Sequence, residues 1–270
     1  MRESEQLAQE FAHLGGRVKY PTRWAHFPFL RESIADEVRR KRNNGAATLD
    51  VLDVGCGNGW LPCFCRDKVH GVRWVGTELW ESEISQAAKK GVYSELVQAN
   101  LLRSVPFKQC AFDVVVCNEV LMYLPSPQMN LSEFYRVLRP RGLLILYEQI
   151  SWLPGSKARF WRMVRPLALS KEEVPMDSLS SDWQRAKRPA RISCFSPRTL
   201  RQHTREAGFD IIWSGGFRLF RNRIDPMTYL ENWWPWYRAV TAVAQRWPYL
   251  ATDLMVVARK FVDEKRDCQL

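Results

Sequence analysis

The stretch Val-Leu-Asp-Val-Gly-Cys-Gly-Asn-Gly at 51–59 carries an apolar run into an acid, Asp53, and then into Gly55, Gly57 and Gly59. Glycine lets a chain turn sharply and approach a ligand where a Cβ would collide. A helix that starts just past such a turn presents unsatisfied amide N–H groups to the same ligand. A plain strand-to-helix turn also uses glycine, so the surrounding residues have to decide between ligand cradle and simple corner. The spacing is Gly-x-Gly-x-Gly, not the Gly-x-Gly-x-x-Gly of a dinucleotide fold. Glu78 closes the next apolar run in Gly-Thr-Glu-Leu at 76–79, where one carboxylate can accept from both hydroxyls of a ribose.

These residues need a scaffold, and the first 150 positions alternate short apolar runs with amphipathic stretches. Strands are predicted at 49–54, 72–76, 96–99, 112–117 and 143–147, and a helix at 81–90 closed by Gly91. Ser126-Pro127 reads as an N-cap followed by Pro at the first helical position; Leu131, Phe134, Val137 and Leu138 then recur at helical spacing until Pro140. Residues 151–195 carry no sustained strand pattern. A second capped helix runs from Ser196-Pro197 to about 207, followed by a strand at 209–213, an irregular stretch at 217–247 and a last strand at 253–258. Strands alternating with helices imply an α/β fold, a mostly parallel sheet with helices on both faces. One domain over 1–270 is expected, with 151–195 and 217–247 as insertions.

The glycine stretch, Asp53 and Glu78 resemble motif I and the acidic second-strand end of class I S-adenosylmethionine-dependent methyltransferases. Phe-Asp-Val-Val-Val-Cys-Asn-Glu-Val-Leu-Met-Tyr-Leu at 112–124 is similar to that family's fourth strand and loop, and 131–148 to its helix–strand unit, above all in the methyltransferase type 11 group. The resemblance covers roughly 48–150 and implies a Rossmann-like, seven-stranded sheet whose last strand is antiparallel, with residues 1–47 as a cap. It implies S-adenosylmethionine as cofactor. Asp53, Gly55, Cys56, Gly57, Asn58 and Gly59 would line its methionine end, Glu78 would hold the ribose and Leu79 would pack on adenine. Asn100 and Leu101 would border the adenine, with the Asn100 amide oxygen standing where the family usually has an aspartate. Asn118 to Val120 would sit beside the sulfonium. Arg141 replaces a customary glycine before the fifth strand.

On the acceptor side, the resemblance brings forward Glu119, Tyr123 and Glu148 as candidate catalytic groups, Tyr123 first. Glu148 suits a strand-end carboxylate that binds backbone amides better than a catalytic group. His203 reads as a helix residue. His26, in the aromatic stretch 20–29, reads equally as part of a pocket cap or as a hydrophobic staple. Cys63 and Cys65 lie two apart with no second pair, so no metal site is expected. The run Arg39-Arg40-Lys41-Arg42 suits a helix C-terminus better than a localisation signal. Apolar residues at 236, 237, 240, 243, 244 and 247 form a helical stripe that reads as core before membrane interface.

Composition bounds the rest. At 270 residues with 46% hydrophobic and 26% charged content, the chain is globular, without a low-complexity tract or a membrane-spanning apolar run. Its polar, acidic start is no secretory signal, and seven cysteines read as reduced, which together predict a cytoplasmic protein. The net charge is +11, and residues 155–225 supply +8 of it. Such a surplus favours an anionic partner. The reaction expected is methyl transfer to O or N of a small-molecule acceptor that is anionic, glycosylated or lipid-linked, with peripheral contact to an acidic membrane surface as a further option. Nucleic acid ranks behind, because 118–121 reads Asn-Glu-Val-Leu and lacks the Asn/Asp-Pro-Pro-aromatic motif of base methylation. An RNA or protein methyltransferase and a non-catalytic scaffold are the alternatives.

Overall fold

A computed structural model describes residues 26–102, 104–124, 126–150, 170–173, 191–219 and 234–261. The described chain opens with α1 (Phe27–Asn43), followed by β1 (Leu49–Val54), α2 (Trp60–Cys65), β2 (Val72–Glu78), α3 (Glu81–Ala88), β3 (Glu95–Gln98) and β4 (Phe112–Asn118). A 3-10 turn (Leu121–Tyr123), α4 (Pro127–Val137) and β5 (Leu138–Gln149) come next. Then come β6 (Ser170–Glu173), β7 (Arg191–Cys194), α5 (Pro197–Glu206), β8 (Phe209–Phe217), α6 (Trp234–Arg246), a 3-10 turn (Pro248–Leu250) and β9 (Asp253–Lys260).

Seven of the strands form one sheet in the order β3-β2-β1-β4-β5-β9-β8. β1 pairs in parallel with β2 and β4, β2 with β3, and β4 with β5, while β9 runs antiparallel between β5 and β8. The order reverses at β1, so the loops after β1 and β4 diverge there and leave a crevice at the carboxyl ends of the strands.

Alternation within the strands builds a core on each face. Leu52, Val54, Val115, Leu144 and Leu146 meet Leu131, Phe134, Val137 and Leu200 of α4 and α5 on one side. Val51, Val114, Val116 and Ile145 meet Leu30 and Ile34 of α1 and Leu61 and Phe64 of α2 on the other. Strands buried on both faces carry near-continuous apolar runs, as β4 does over 114–117 and β5 over 143–147. Each large side chain so buried contributes about 1.5–3 kcal/mol.

The basic end of α1 is consumed inside the molecule. Lys41 pairs with Asp113 at 2.6 Å, and Arg139 bridges Asp113 and Asp50 at 2.7 and 2.8 Å. Burial would raise the Asp113 carboxyl, but Lys41 and Arg139 outweigh it and hold it below the usual range. Buried Glu37 is likewise held low between Arg40 and Arg259 despite its burial. Arg42 donates to the His70 carbonyl at 3.0 Å. These bonds pin α1 to the amino-terminal edge of the sheet.

Several expectations are corrected. The helix predicted to reach Lys90 ends at Ala88, and the third strand starts one residue earlier, at Glu95. Pro140 stops nothing: α4 ends at Val137 and β5 begins at Leu138, with the Arg139–Arg141 stretch inside it where the register with β4 shifts. Ser126 stands at the N-cap of α4 without a side-chain bond, whereas Ser196 and Thr199 form a full capping box on α5. The 151–195 stretch does hold strands, since β6 and β7 pair antiparallel as a second sheet. β8 continues to Phe217, past the predicted 213. In α6, Val240 and Ala244 are buried and Gly216 of β8 admits the Ala244 carbonyl where a Cβ would stand 2.5 Å away, so this part of the stripe is core. Cys110 is disulfide-bonded, against the expectation that all seven cysteines are reduced; Cys56, Cys63, Cys65 and Cys117 are free and buried. Most of the basic stretch 155–225 lies outside the described residues.

Candidate active site

The glycine corner is built by close contact. Gly55 has φ +63°, and a Cβ there would stand 2.5 Å from a Val120 methyl, so the loop after β1 and the loop after β4 touch only because residue 55 is glycine. Gly57 also has positive φ, +51°, but a Cβ there meets nothing within 4 Å and points into open space. Beneath the corner the Tyr93 ring lies 3.0 Å from where Cβ atoms of Gly59 and Gly76 would be. This contrast yields a prediction. Gly55→Ala lowers thermal stability by about 1–3 kcal/mol through overpacking and strain. Gly57→Ala costs only about 1–2 kcal/mol of backbone strain but weakens cofactor binding, because its methyl enters the open space. Melting curves and calorimetry with S-adenosylhomocysteine check both, and equal binding by the Gly57 variant contradicts the placement.

Glu78 ends β2 with its carboxylate turned to this corner. Oε2 accepts from the Gly57 N–H at 2.9 Å, and Oε1 accepts from the Leu79 and Trp80 N–H groups at 2.7 and 3.2 Å. The acid therefore shapes the glycine loop as well as facing the crevice. Leu79 beside it is 37% exposed, an apolar surface on the rim. Lys90 lies 4.5 Å above the Trp60 ring and donates to the Asn58 carbonyl, tying the loop to the end of α3. Asn100 is exposed just past the end of β3, and its amide oxygen accepts from the Leu102 N–H at 3.0 Å. Leu101 is buried and its carbonyl is held by Asn130 at 2.7 Å.

Asp53 points beneath the loop and is 3% exposed, receiving the Tyr93 hydroxyl at 2.7 Å. Burial pushes its carboxyl up to about 7, with the Glu78 charge adding and the Tyr93 hydrogen bond opposing. Cys56 is buried and its thiol is pushed far up, mainly by burial, so it is no thiolate nucleophile.

At the end of β4, Asn118 is half-buried and its Oδ1 lies 3.0 Å from Nε2 of His26. Glu119 adopts φ +58°, unusual for a side-chain-bearing residue, and accepts from Gln149 at 2.9 Å. Tyr123 is half-buried and packs on the core around Leu121 and Met122. Glu148 is a different matter. It is fully buried and accepts from the Val120, Leu121 and Met122 N–H groups at 3.2, 2.7 and 3.3 Å. Its carboxylate is used up in holding the loop, which corrects its place among the catalytic candidates. His203 sits half-buried on α5, its Nδ1 3.5 Å from Glu206.

The loops after β1, β2, β3 and β4 thus bring Gly57, Glu78, Leu79, Asn100 and Asn118 to one edge, the carboxyl ends of neighbouring strands. Tyr93 and the reach of His26 to Asn118 were missed from sequence: Tyr93 follows a helix with no signal of its own, and His26 lies 92 positions from its partner. A groove of about 390 Å³, lined by Phe29, Trp213, Met255 and Val257 among others, includes none of the site residues.

The donor set suits a nucleoside cofactor with a diol and a purine: a strand-end carboxylate, an exposed leucine beside it, and an open glycine loop whose backbone a ligand can approach. Residues 52–146 match the methyltransferase domain family. The chain is 32% identical over 94 residues to a malonyl-[acyl-carrier protein] O-methyltransferase of Enterobacter lignolyticus, covering 35% of this chain and 36% of that one. It is 46% identical over 123 residues to the thiol S-methyltransferase TMT1B of Rattus norvegicus, covering 42% and 48%. The matched part thus spans less than half of either relative. Among solved structures, the [4+2]-cyclase SpnF superposes with a TM-score of 0.55 at 18% identity over 86% of this chain and 80% of that one, a likeness of fold alone. The strand order, the glycine corner with its strand-end acid and the family match together identify residues 52–146 as a class I S-adenosylmethionine-dependent methyltransferase domain of the type 11 group.

Proposed function

We propose that this protein transfers the methyl group of S-adenosylmethionine to an oxygen or nitrogen of an anionic small-molecule acceptor. The observation that carries this is the convergence of Gly57, Glu78 and Asn118 at the carboxyl ends of β1, β2 and β4, at the reversal of strand order. Residues 48–150 form the cofactor-binding core of one domain in this reading, with 1–47 as cap and 151–195 and 217–247 on the acceptor side.

When bound, the cofactor supplies a sulfonium methyl that leaves by in-line displacement. The work of the protein is alignment and exclusion of water, which supplies roughly 7–11 kcal/mol. Glu78 accepts from the ribose diol, Leu79 packs on the purine, and Asn100 borders its ring edge. Asp53, Gly55, Cys56, Asn58 and Gly59 shape the methionine end. Tyr123 and Glu119 border the acceptor, and a base is needed only for a poorly ionised hydroxyl or a protonated amine.

The anionic character rests on the net charge of +11. The O-methyltransferase among the relatives, named for a malonyl acyl carrier protein, agrees with it. The S-methyltransferase relative adds sulfur to the acceptor atoms worth testing. No helix among the described residues is long and apolar enough to cross a membrane. The four free, buried cysteines support a cytoplasmic setting and the Cys110 disulfide weighs against it.

Incubation of the protein with methyl-labelled S-adenosylmethionine and host extract, fractionated into lipid, small-molecule, nucleic-acid and protein pools, tests the reading. Label in the small-molecule or lipid pool supports it, label in nucleic acid or protein overturns the acceptor class, and no S-adenosylhomocysteine binding by calorimetry overturns the whole. Tyr123→Phe is expected to lower turnover about tenfold or more, as loss of acid–base help does, with cofactor affinity within about twofold. Unchanged turnover makes Tyr123 a packing residue.

A further inference from the structure

His26 precedes α1 and lies outside the matched segment, yet its ring is buried at the carboxyl edge of the sheet. It is 3% exposed, stacked on Tyr147 with ring centroids 3.5 Å apart and planes 6° off parallel, and edge-on to Phe217 at 6.4 Å. Tyr147 is the register partner of Asn118 across β4 and β5. The imidazole therefore lies over the ends of β4 and β5, beside the loop after β4 that borders the crevice. It stands at the N-cap position without capping the helix by its side chain; its Nε2 reaches Asn118 Oδ1 at 3.0 Å instead. A staple onto the sheet calls only for an apolar side chain. A buried imidazole costs free energy unless its polar atoms are bonded, so packing alone does not account for histidine here.

The bond has a directional consequence. Asn118 Oδ1 can only accept, so Nε2 carries the proton and the ring donates. The amide oxygen is turned to His26, and the amide N–H₂ necessarily points away from it. We propose that His26 is a positioning residue for the cofactor site. By holding the oxygen of Asn118, it fixes this side chain as an N–H donor at the end of β4 and makes cofactor affinity depend on the seating of α1. This rests on the methyltransferase reading above and goes beyond it, since it assigns a role to a residue outside the family segment. The far end of α1 is pinned by Lys41 to Asp113 and by Arg259 to Glu37, so the helix spans the sheet face with His26 at its functional end.

Two substitutions separate the ring from the donor. His26→Phe keeps the stack on Tyr147 and removes the N–H; His26→Gln keeps an N–H donor at similar reach and removes the ring. Affinity for S-adenosylhomocysteine, read by calorimetry, is expected to fall about tenfold in His26→Phe, as loss of one hydrogen bond at a site does, and to be largely restored in His26→Gln. Melting temperature is expected to follow the opposite order, highest in the variant that retains the ring. Asn118→Ala should cost about the same tenfold, and adding His26→Phe to it should cost no more. If wild-type affinity persists in His26→Phe, or if the double variant loses a further tenfold, His26 does not act through Asn118 and the inference falls. If the wild-type protein itself does not bind S-adenosylhomocysteine, the cofactor reading falls first, and the two failures are told apart by that one titration.

Discussion

Glu78→Ala raises the dissociation constant for S-adenosylhomocysteine by more than tenfold. The carboxylate does two things at once. It accepts from the Gly57, Leu79 and Trp80 N–H groups, which sets the shape of the glycine loop, and it lies at the β2 end where a diol can be gripped. Truncation removes the charged acceptor for the ribose and leaves three amides without a partner. Hydrogen bonds to a charged group are worth about 1.5–3 kcal/mol each, and about 1.4 kcal/mol is tenfold in affinity. Glu78→Gln is the informative companion. It retains one oxygen for Leu79 and Trp80 but turns an N–H₂ toward Gly57, so it should bind more weakly than wild type and melt below it. Calorimetry reads the affinity and a thermal melt reads the loop. An unchanged dissociation constant in Glu78→Ala removes Glu78 from the cofactor site.

The glycine corner was legible because its chemistry is local. Asp53, Gly55, Gly57, Gly59 and Glu78 belong to two consecutive strands and the turn after the first, and short apolar runs mark both strands. The strand–helix rhythm likewise showed a mostly parallel sheet with helices on both faces, while the seven strands and the antiparallel last one came from the resemblance. What sequence did not show is long-range. The Tyr93 hydroxyl meets Asp53 across 40 positions, and His26 meets Asn118 across 92. Neither contact leaves a periodic trace. Pro140 misled for a related reason. A proline ends a helix only if the helix reaches it, and here α4 had already given way to β5, where the register shift opposite Phe112 and Val114 accommodates it. The bond from the Leu102 N–H to the Asn100 amide oxygen, two residues apart, is a local Asx-type contact that likewise leaves no periodic trace.

The two ends of the sheet divide the labour. At the amino-terminal edge, Asp50, Asp113 and Glu37 are matched by Arg73, Arg139, Lys41, Arg40 and Arg259, so charge there is spent on holding α1 and β5 in place. At the carboxyl edge the acids Asp53 and Glu148 are buried with hydrogen-bond donors but no basic partner among their bonds. That asymmetry makes the site edge the pH-sensitive part of the fold.

Glu148→Gln is expected to change how stability depends on pH. Burial pushes the Glu148 carboxyl up to about 8, against the N–H groups of Leu121, Met122 and Val120, which pull it down, and with the Glu119 charge adding to the rise. In the unfolded chain the same group titrates near 4.5. The folded protein therefore binds the extra proton between these values. The stability that goes with it is fully present below about 4.5, declines as pH rises and is gone above about 8. A shift of this size corresponds to an upper bound on the order of 5 kcal/mol. Asp53, pushed up to about 7, adds a loss of the same sign at lower pH. Glutamine at 148 keeps one accepting oxygen for the Val120 and Leu121 amides but turns an N–H₂ toward the Met122 N–H, a mismatch of about 1–3 kcal/mol. The variant should thus be less stable than wild type at pH 5. Its deficit should shrink through pH 7 and vanish or reverse by pH 9, where the wild-type protein carries a buried charge and the glutamine does not. Urea unfolding at those three pH values measures this directly. A deficit that stays constant across them shows that Glu148 does not change protonation on unfolding in this range, and the loop after β4 is then held by an ionised carboxylate throughout.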